Sequence, residues 1–101
     1  MEGLTCIRPL TGADVEAVLA VEAASPEASS WNRQAYEDIL AGTSPTCCLV
    51  AEAEGNTVGF VSFRVVEREA ELLNLAVLPA FRRLRIGARL LEQVLQEAAH
   101  Q

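Results

Sequence analysis

The stretch Asn74–Leu91, NLAVLPAFRRLRIGARLL, carries an apolar strand into an arginine-rich turn and from there directly into an amphipathic helix. The first turn of a helix leaves its backbone N–H groups without intrahelical partners and carries a partial positive charge, so an anion can dock against it. Arg82, Arg83, Arg85 and Arg89 add formal charge at the same place. All eight cationic residues of the chain are arginines, and half of them fall in this turn although the net charge is −6. The pattern predicts a docking point for a phosphate-bearing ligand.

Outward from this stretch, Ile86, Leu90, Leu91, Val94, Leu95 and Ala98 recur at helical spacing and predict one buried helix face. Upstream, Ala70–Val77 reads as a strand, set off by the charged run Glu67-Arg68-Glu69 and stopped by Pro79. Two further strands, 46–53 and 58–66, flank a hairpin turn at Glu54-Gly55-Asn56. Nearer the N-terminus, Thr5–Pro9 predicts a first strand, and Thr11 or Asp14 caps a helix whose apolar face holds Val15, Val18, Leu19 and Val21. Ser25 and Pro26 end that helix, and a polar loop runs to Ser30. Asn32 caps a second helix with Ala35, Ile39 and Leu40 inward and Gly42 at its end. The order is β-α-α-β-β-β-α, without an internal repeat.

The run E-L-L-N-L-A-V-x-P-x-F-R-R-x-x-I-G-x-x-L-L, Glu71 to Leu91, resembles the acetyl-CoA-binding motif of the GNAT N-acetyltransferases, in particular the branch that acetylates the N-terminal residue of ribosomal proteins. The resemblance implies an α+β layered fold with a mainly antiparallel sheet, and its element order matches nearly the whole chain. It implies that the backbone of Leu75, Ala76 and Val77 pairs with the pantetheine arm of acetyl-CoA. It further implies that Arg82 opens a pyrophosphate loop in which Arg83, Leu84, Arg85, Ile86, Gly87 and Ala88 line the diphosphate. Arg85 stands where the family has its first glycine, a residue that supplies a positive φ or room for close backbone approach. Arginine there is expected to weaken coenzyme binding without abolishing it, or to add a guanidinium to the diphosphate.

The same branch has a glutamate on its first helix and a tryptophan at the start of its second, like Glu22 and Trp31, in a region bordering the acceptor groove. Trp31 reads equally as an acceptor contact or as a hydrophobic staple on the second helix. Family members continue beyond the coenzyme-binding helix with a strand, a helix and a hairpin. The branch's general base, a glutamate, and its general acid, a tyrosine, lie in that part and have no counterpart in this chain. Glu71 occupies the position where the histone-acetyltransferase branch keeps its catalytic glutamate, so it is the candidate base, against the plainer reading of a solvated strand glutamate. Tyr36, on the second helix, has nothing to place it near a thioester. The strand Ala70–Val77 is expected to present an open edge, which invites a homodimer.

With 101 residues there is room for one domain, here a partial one over 1–101. The apolar fraction of 50% contains no run long enough to span a membrane. The start of the chain shows no secretory signal, which predicts a cytoplasmic protein. Cys6, Cys47 and Cys48 read as small core hydrophobes, and the lone His100 offers no metal pair, so no metal is expected. The acidic balance argues against nucleic acid and for a cationic partner. An acetyltransferase acting on a protein or peptide N-terminus, or on a small amine, is the first reading. A non-catalytic coenzyme-binding or partner-binding module is the alternative.

Overall fold

The computed structural model describes residues 5–25, 28 and 30–100. Strand β1 (Thr5–Pro9) leads through a 3-10 turn (Gly12–Asp14) to helix α1 (Val15–Ala23) and helix α2 (Arg33–Ala41). Strands β2 (Cys47–Ala53), β3 (Asn56–Val66) and β4 (Glu69–Val77) follow, then a second 3-10 segment (Pro79–Leu84) and helix α3 (Ile86–Ala99). The strands pair in sequence order, β1-β2-β3-β4, and every pairing is antiparallel. Pro26, at the expected end of the first helix, lies outside the described residues.

Strand periodicity of two sends alternate side chains to opposite faces, and each face has its own core. Cys48, Val50, Phe60 and Ala76 meet Val15, Val18, Val21 and Tyr36 from α1 and α2. Leu49, Ala51, Val61, Phe63 and Val77 meet Ile86, Leu90 and Val94 from α3. Asn32 caps α2 by accepting the Ala35 N–H through its side chain at 3.0 Å, and Gly42 ends it in the left-handed conformation.

Both hairpins close through two residues at positive φ, as tight primed turns require. In the first these are Glu54 and Gly55; in the second they are Glu67 and Arg68, so that turn contains no glycine at all. A register shift between Ser62 and Phe63 leaves Leu73 as the extra residue of a bulge in β4. From Asn74 onward the strand therefore presents Asn74 and Ala76 to the α1–α2 side and Leu75 and Val77 to the α3 side.

Several sequence expectations shift. Leu40 and Leu95, expected inside, are 41% and 66% exposed. The inward residue of α2 is Tyr36, and the buried stripe of α3 is the narrower set Ile86, Leu90, Val94 and Ala98. Cys48 alone of the three cysteines is a core residue; Cys6 and Cys47 are exposed.

Candidate functional site

β4 lies at one end of the described sheet, so its outer backbone edge has no strand partner among the described residues. Leu75 is half-buried there, and Ala76 and Val77 are buried. The chain does not enter α3 directly, as the sequence suggested. Leu78, extended ahead of Pro79, starts the 3-10 segment and donates its N–H to Val58 O at 2.8 Å. Arg85 then takes φ +60° and ψ +27°, and α3 begins at the next residue. The left-handed conformation that a glycine adopts freely is thus held by an arginine, at a cost of about 1 kcal/mol.

The first intrahelical bond of α3 runs from the Arg89 N–H to Arg85 O at 3.1 Å. The N–H groups of Ile86, Gly87 and Ala88 consequently have no intrahelical acceptor. A Cβ built on Gly87 would meet nothing within 4 Å, so the space over this helix start is open. Gly59, paired with Val77, is the opposite case. A Cβ there would stand 3.2 Å from Ala76 O and 3.2 Å from Val77 Cγ2, so its bareness lets the end of β4 lie close.

The four arginines do not act as one charge cluster. Arg82 turns back to the strand, donating from Nε to Val77 O at 3.0 Å and from Nη2 to Ser25 Oγ at 3.4 Å. Arg89 donates from Nη2 to Thr5 O at 3.2 Å. Arg83 and Arg85 are exposed, and their side chains make no hydrogen bond or ion pair among the described residues. Two guanidinium groups therefore brace the fold, and two remain beside the open helix start.

These pieces enclose a cavity of about 270 Å³ lined by Leu75, Ala76, Val77, Arg82 and Gly87, together with Ser25 and Ala28. Ser25 and Ala28 were not singled out by the sequence reading. They arrive because the end of α1 crosses the α1–α2 side of β4, where Ala76 and Arg82 meet them.

Behind this cavity lies a buried carboxylate. Glu22 is 7% exposed, and its Oε1 accepts the Trp31 backbone N–H at 3.1 Å. Its Oε2 accepts the Tyr36 hydroxyl and, at 3.5 Å, Asn74 Nδ2. Asn74 Oδ1 in turn accepts the N–H of Leu75 at 3.1 Å. A single carboxylate thus joins α1, the start of α2 and the strand segment that lines the cavity. Burial, reinforced by the neighbouring Glu22, holds the Tyr36 hydroxyl well above the usual phenol range. The sequence signal was the spacing Val15, Val18, Glu22, Ser25, which puts Glu22 on the buried face of α1.

Glu71 lies elsewhere. It pairs across the sheet with Arg64, which donates from Nε to Glu71 Oε1 at 3.0 Å, and its side chain is 55% exposed. It sits four residues before Leu75, roughly 13 Å along an extended strand. Trp31 is half-buried, with its ring 5.6 Å from that of Tyr36, and packs against the α1–α2 core.

The model of the acetyltransferase (GNAT) family matches residues 15–101. The chain belongs to that family. Among solved GNAT structures it is similar to the ribosomal-protein-S18-alanine N-acetyltransferase of Escherichia coli, with a TM-score of 0.75 and 25% identity over 94% of the chain. It is similar in fold to Ard1 of Thermoplasma volcanium, with a TM-score of 0.78 and 24% identity over 95% of the chain. The PaiA N-acetyltransferase of Thermoplasma acidophilum, solved with coenzyme A, gives a TM-score of 0.73 at 22% identity over 94% of the chain. The chain spans 59%, 64% and 72% of these three proteins, respectively. No curated protein sequence matches it. The α+β architecture with an antiparallel sheet is that of these GNAT neighbours. No helix among the described residues is long and apolar enough to cross a membrane.

Proposed function

We propose that this chain is a cytoplasmic N-acetyltransferase that moves an acetyl group from acetyl-CoA to an amine, the α-amine of a protein or peptide N-terminus. The observation that carries the reading is the open helix start of α3, with three backbone N–H groups that have no acceptor within the helix, at the mouth of a cavity that continues along Leu75–Val77. The fit to the coenzyme is specific in its chemistry. The diphosphate would lie on the N–H groups of Ile86, Gly87 and Ala88, with Arg83 and Arg85 beside it and Leu84 in the preceding turn. The bare Cα of Gly87 leaves room for that approach. The pantetheine amides would pair along Leu75, Ala76 and Val77 with the outer-edge groups that remain, since the Leu75 N–H is held by Asn74 and the Val77 carbonyl by Arg82.

In this reading the amine nitrogen attacks the acetyl carbonyl carbon, the C–S bond breaks, and the coenzyme leaves as its thiol after proton transfer. The chain contributes positioning, and a strand N–H near Val77 polarises the carbonyl. Glu71 is given no catalytic part in this reading, because it stands six residues before Val77, roughly 20 Å along an extended strand, with its exposed carboxylate paired to Arg64. The outer edge of β4, 70–77, is also the surface through which a second copy of the chain would pair, in competition with the coenzyme arm at Leu75–Val77.

A second reading, coenzyme binding without turnover, is favoured by one observation. The titratable groups behind the cavity, Glu22 and Tyr36, are engaged with each other inside the core. Thiol release measured with acetyl-CoA and a panel of N-terminal peptides separates the two. Turnover above the acceptor-free rate supports the enzyme, and coenzyme binding with no thiol release supports the alternative.

A further inference from the structure

A cavity of about 450 Å³ runs beside α2, and its lining divides by chemistry into apolar Trp31, Ala35 and Ile39 and polar Asp38, Ser44 and Thr46. Asp38 is its only charged lining residue among the described residues. The Asp38 carboxylate accepts Gln34 Nε2 on Oδ1 at 2.8 Å, one turn back along the helix. No other side chain among the described residues bonds that carboxylate, which leaves Oδ2 for an incoming donor. An indole, an aliphatic floor and a carboxylate together suit a cation on an aliphatic stem. The stem packs on Ala35 and Ile39, and the charge rests against the ring and the carboxylate. Among the described residues no arginine lines the cavity, in a chain of net charge −6.

The position of this cavity gives it a context. Ala28 lines the coenzyme cavity, and Ser30 and Trp31 line this one. Two residues of chain span at most about 7 Å, so one short loop forms a wall of both spaces. An extended peptide whose terminal amine enters the first cavity would carry its second or third side chain over that loop.

We propose that the cavity beside α2 is an acceptor subsite that takes a lysine or arginine side chain from a peptide whose N-terminal amine enters the neighbouring cavity. The proposal deepens the acetyltransferase reading and rests on it, since it names the acceptor class as N-termini with an early basic residue. Asp38 disfavours an acidic side chain at the same place by like-charge repulsion.

Trp31 is the chain's single tryptophan, so its fluorescence reports on the cavity without any turnover. The probes are the amides Ala-Lys-Ala-Ala and Ala-Ala-Lys-Ala, the same peptides with norleucine or glutamate for lysine, and free spermidine. A saturable fluorescence change is expected, with at least one lysine peptide bound about tenfold more tightly than its norleucine counterpart. In Asp38→Asn the preference should fall to about threefold or less, as expected for partly exposed ion-pair and cation–π contacts. Equal affinity for lysine and norleucine, no saturable change, or a preference unaltered in Asp38→Asn would overturn the subsite. Spermidine bound more tightly than both lysine peptides would overturn the peptide assignment. Calorimetry with coenzyme A on the same proteins keeps the two claims apart. Coenzyme binding without lysine preference sinks the subsite alone, whereas absence of coenzyme binding sinks the acetyltransferase reading.

Discussion

Replacing Glu22 tests the buried junction behind the coenzyme cavity. All three of its partners present hydrogens: the Trp31 N–H, the Tyr36 hydroxyl and Asn74 Nδ2. Glu22→Ala strands the fully buried Tyr36 hydroxyl and the partly buried Trp31 N–H, and takes one acceptor from the buried Asn74 amide, which keeps its contact with Tyr36. At about 1–3 kcal/mol for each buried unsatisfied group, with some relaxation, the expected loss is about 2–4 kcal/mol. That is a large share of the roughly 5–15 kcal/mol available to a domain of this size. Glu22→Gln keeps the shape but turns an N–H toward donors. The Tyr36 hydroxyl can rotate to accept it, whereas the backbone N–H cannot, so the loss should be about 1–2 kcal/mol. Tyr36→Phe removes one donor from the carboxylate and should also cost about 1–2 kcal/mol. Because Glu22→Gln and Tyr36→Phe disturb the same contact, the double variant should fall short of additivity by about 1 kcal/mol. Urea unfolding followed by Trp31 fluorescence gives all four values. A Glu22→Ala protein within about 1 kcal/mol of wild type, or strict additivity in the cycle, would refute the junction.

Other outcomes follow from single features. Arg85→Gly relieves a left-handed non-glycine residue but adds unfolded-state entropy, for a net gain of about 0.5 kcal/mol at most. It also removes an exposed charge beside the proposed diphosphate, so coenzyme affinity should fall about two- to fivefold; thermal melts and calorimetry would show whether the two move in opposite directions. Glu67→Asn with Arg68→Gly supplies the residues that a turn with two positive φ values favours and should stabilise by about 1 kcal/mol, read as a higher urea midpoint. Asp14, bound by the Arg8 guanidinium at 2.8 Å and by Thr11 and Thr57, has its carboxyl held well below the usual range, chiefly by Arg8 and against the effect of burial. The unfolded chain therefore binds the proton first: this stabilisation is complete above the unfolded value near pH ~4 and is lost as pH falls below it, and Asp14→Asn should flatten that acid limb of the stability curve. Burial pushes the Cys48 thiol up to about 12 and also raises that of Cys47, so a thiol reagent at neutral pH should titrate Cys6 first, Cys47 more slowly and Cys48 only on unfolding.

Most of the fold was legible because it is written in local patterns. Thr5–Pro9, the Asn32 cap, the Gly42 end and the nearly continuous apolar run of the strand at 46–53 each depend on a few neighbouring residues, and the structure reproduces them. What was hidden depends on contacts far apart in sequence. Tyr36 turns inward because Glu22, with Asn74 beside it, satisfies its hydroxyl in a place where Leu40 would have seemed the better core residue. Leu95 reads as core by helical spacing, yet α3 meets the sheet along a stripe only as wide as Ile86, Leu90, Val94 and Ala98. At the site, the strand end and the helix start were visible as a motif. The left-handed turn at Arg85, reached after a 3-10 segment, was hinted at only by the family's glycine at that position, because nothing in an arginine's own propensity announces such a backbone. The diversion of Arg82 and Arg89 to backbone carbonyls was equally invisible, since sequence counts charges without showing which of them the fold has already used.

The central claim is that the start of α3 receives the diphosphate of a coenzyme whose arm lies along Leu75–Val77. Calorimetric titration of the wild-type chain with coenzyme A and, in parallel, with pantetheine, which lacks the diphosphate, tests it most directly. The account predicts binding of coenzyme A in the micromolar range and of pantetheine at least about a hundredfold more weakly, since the anion contacts at the helix start would be lost. No heat with coenzyme A, or equal affinities for the two, would contradict it.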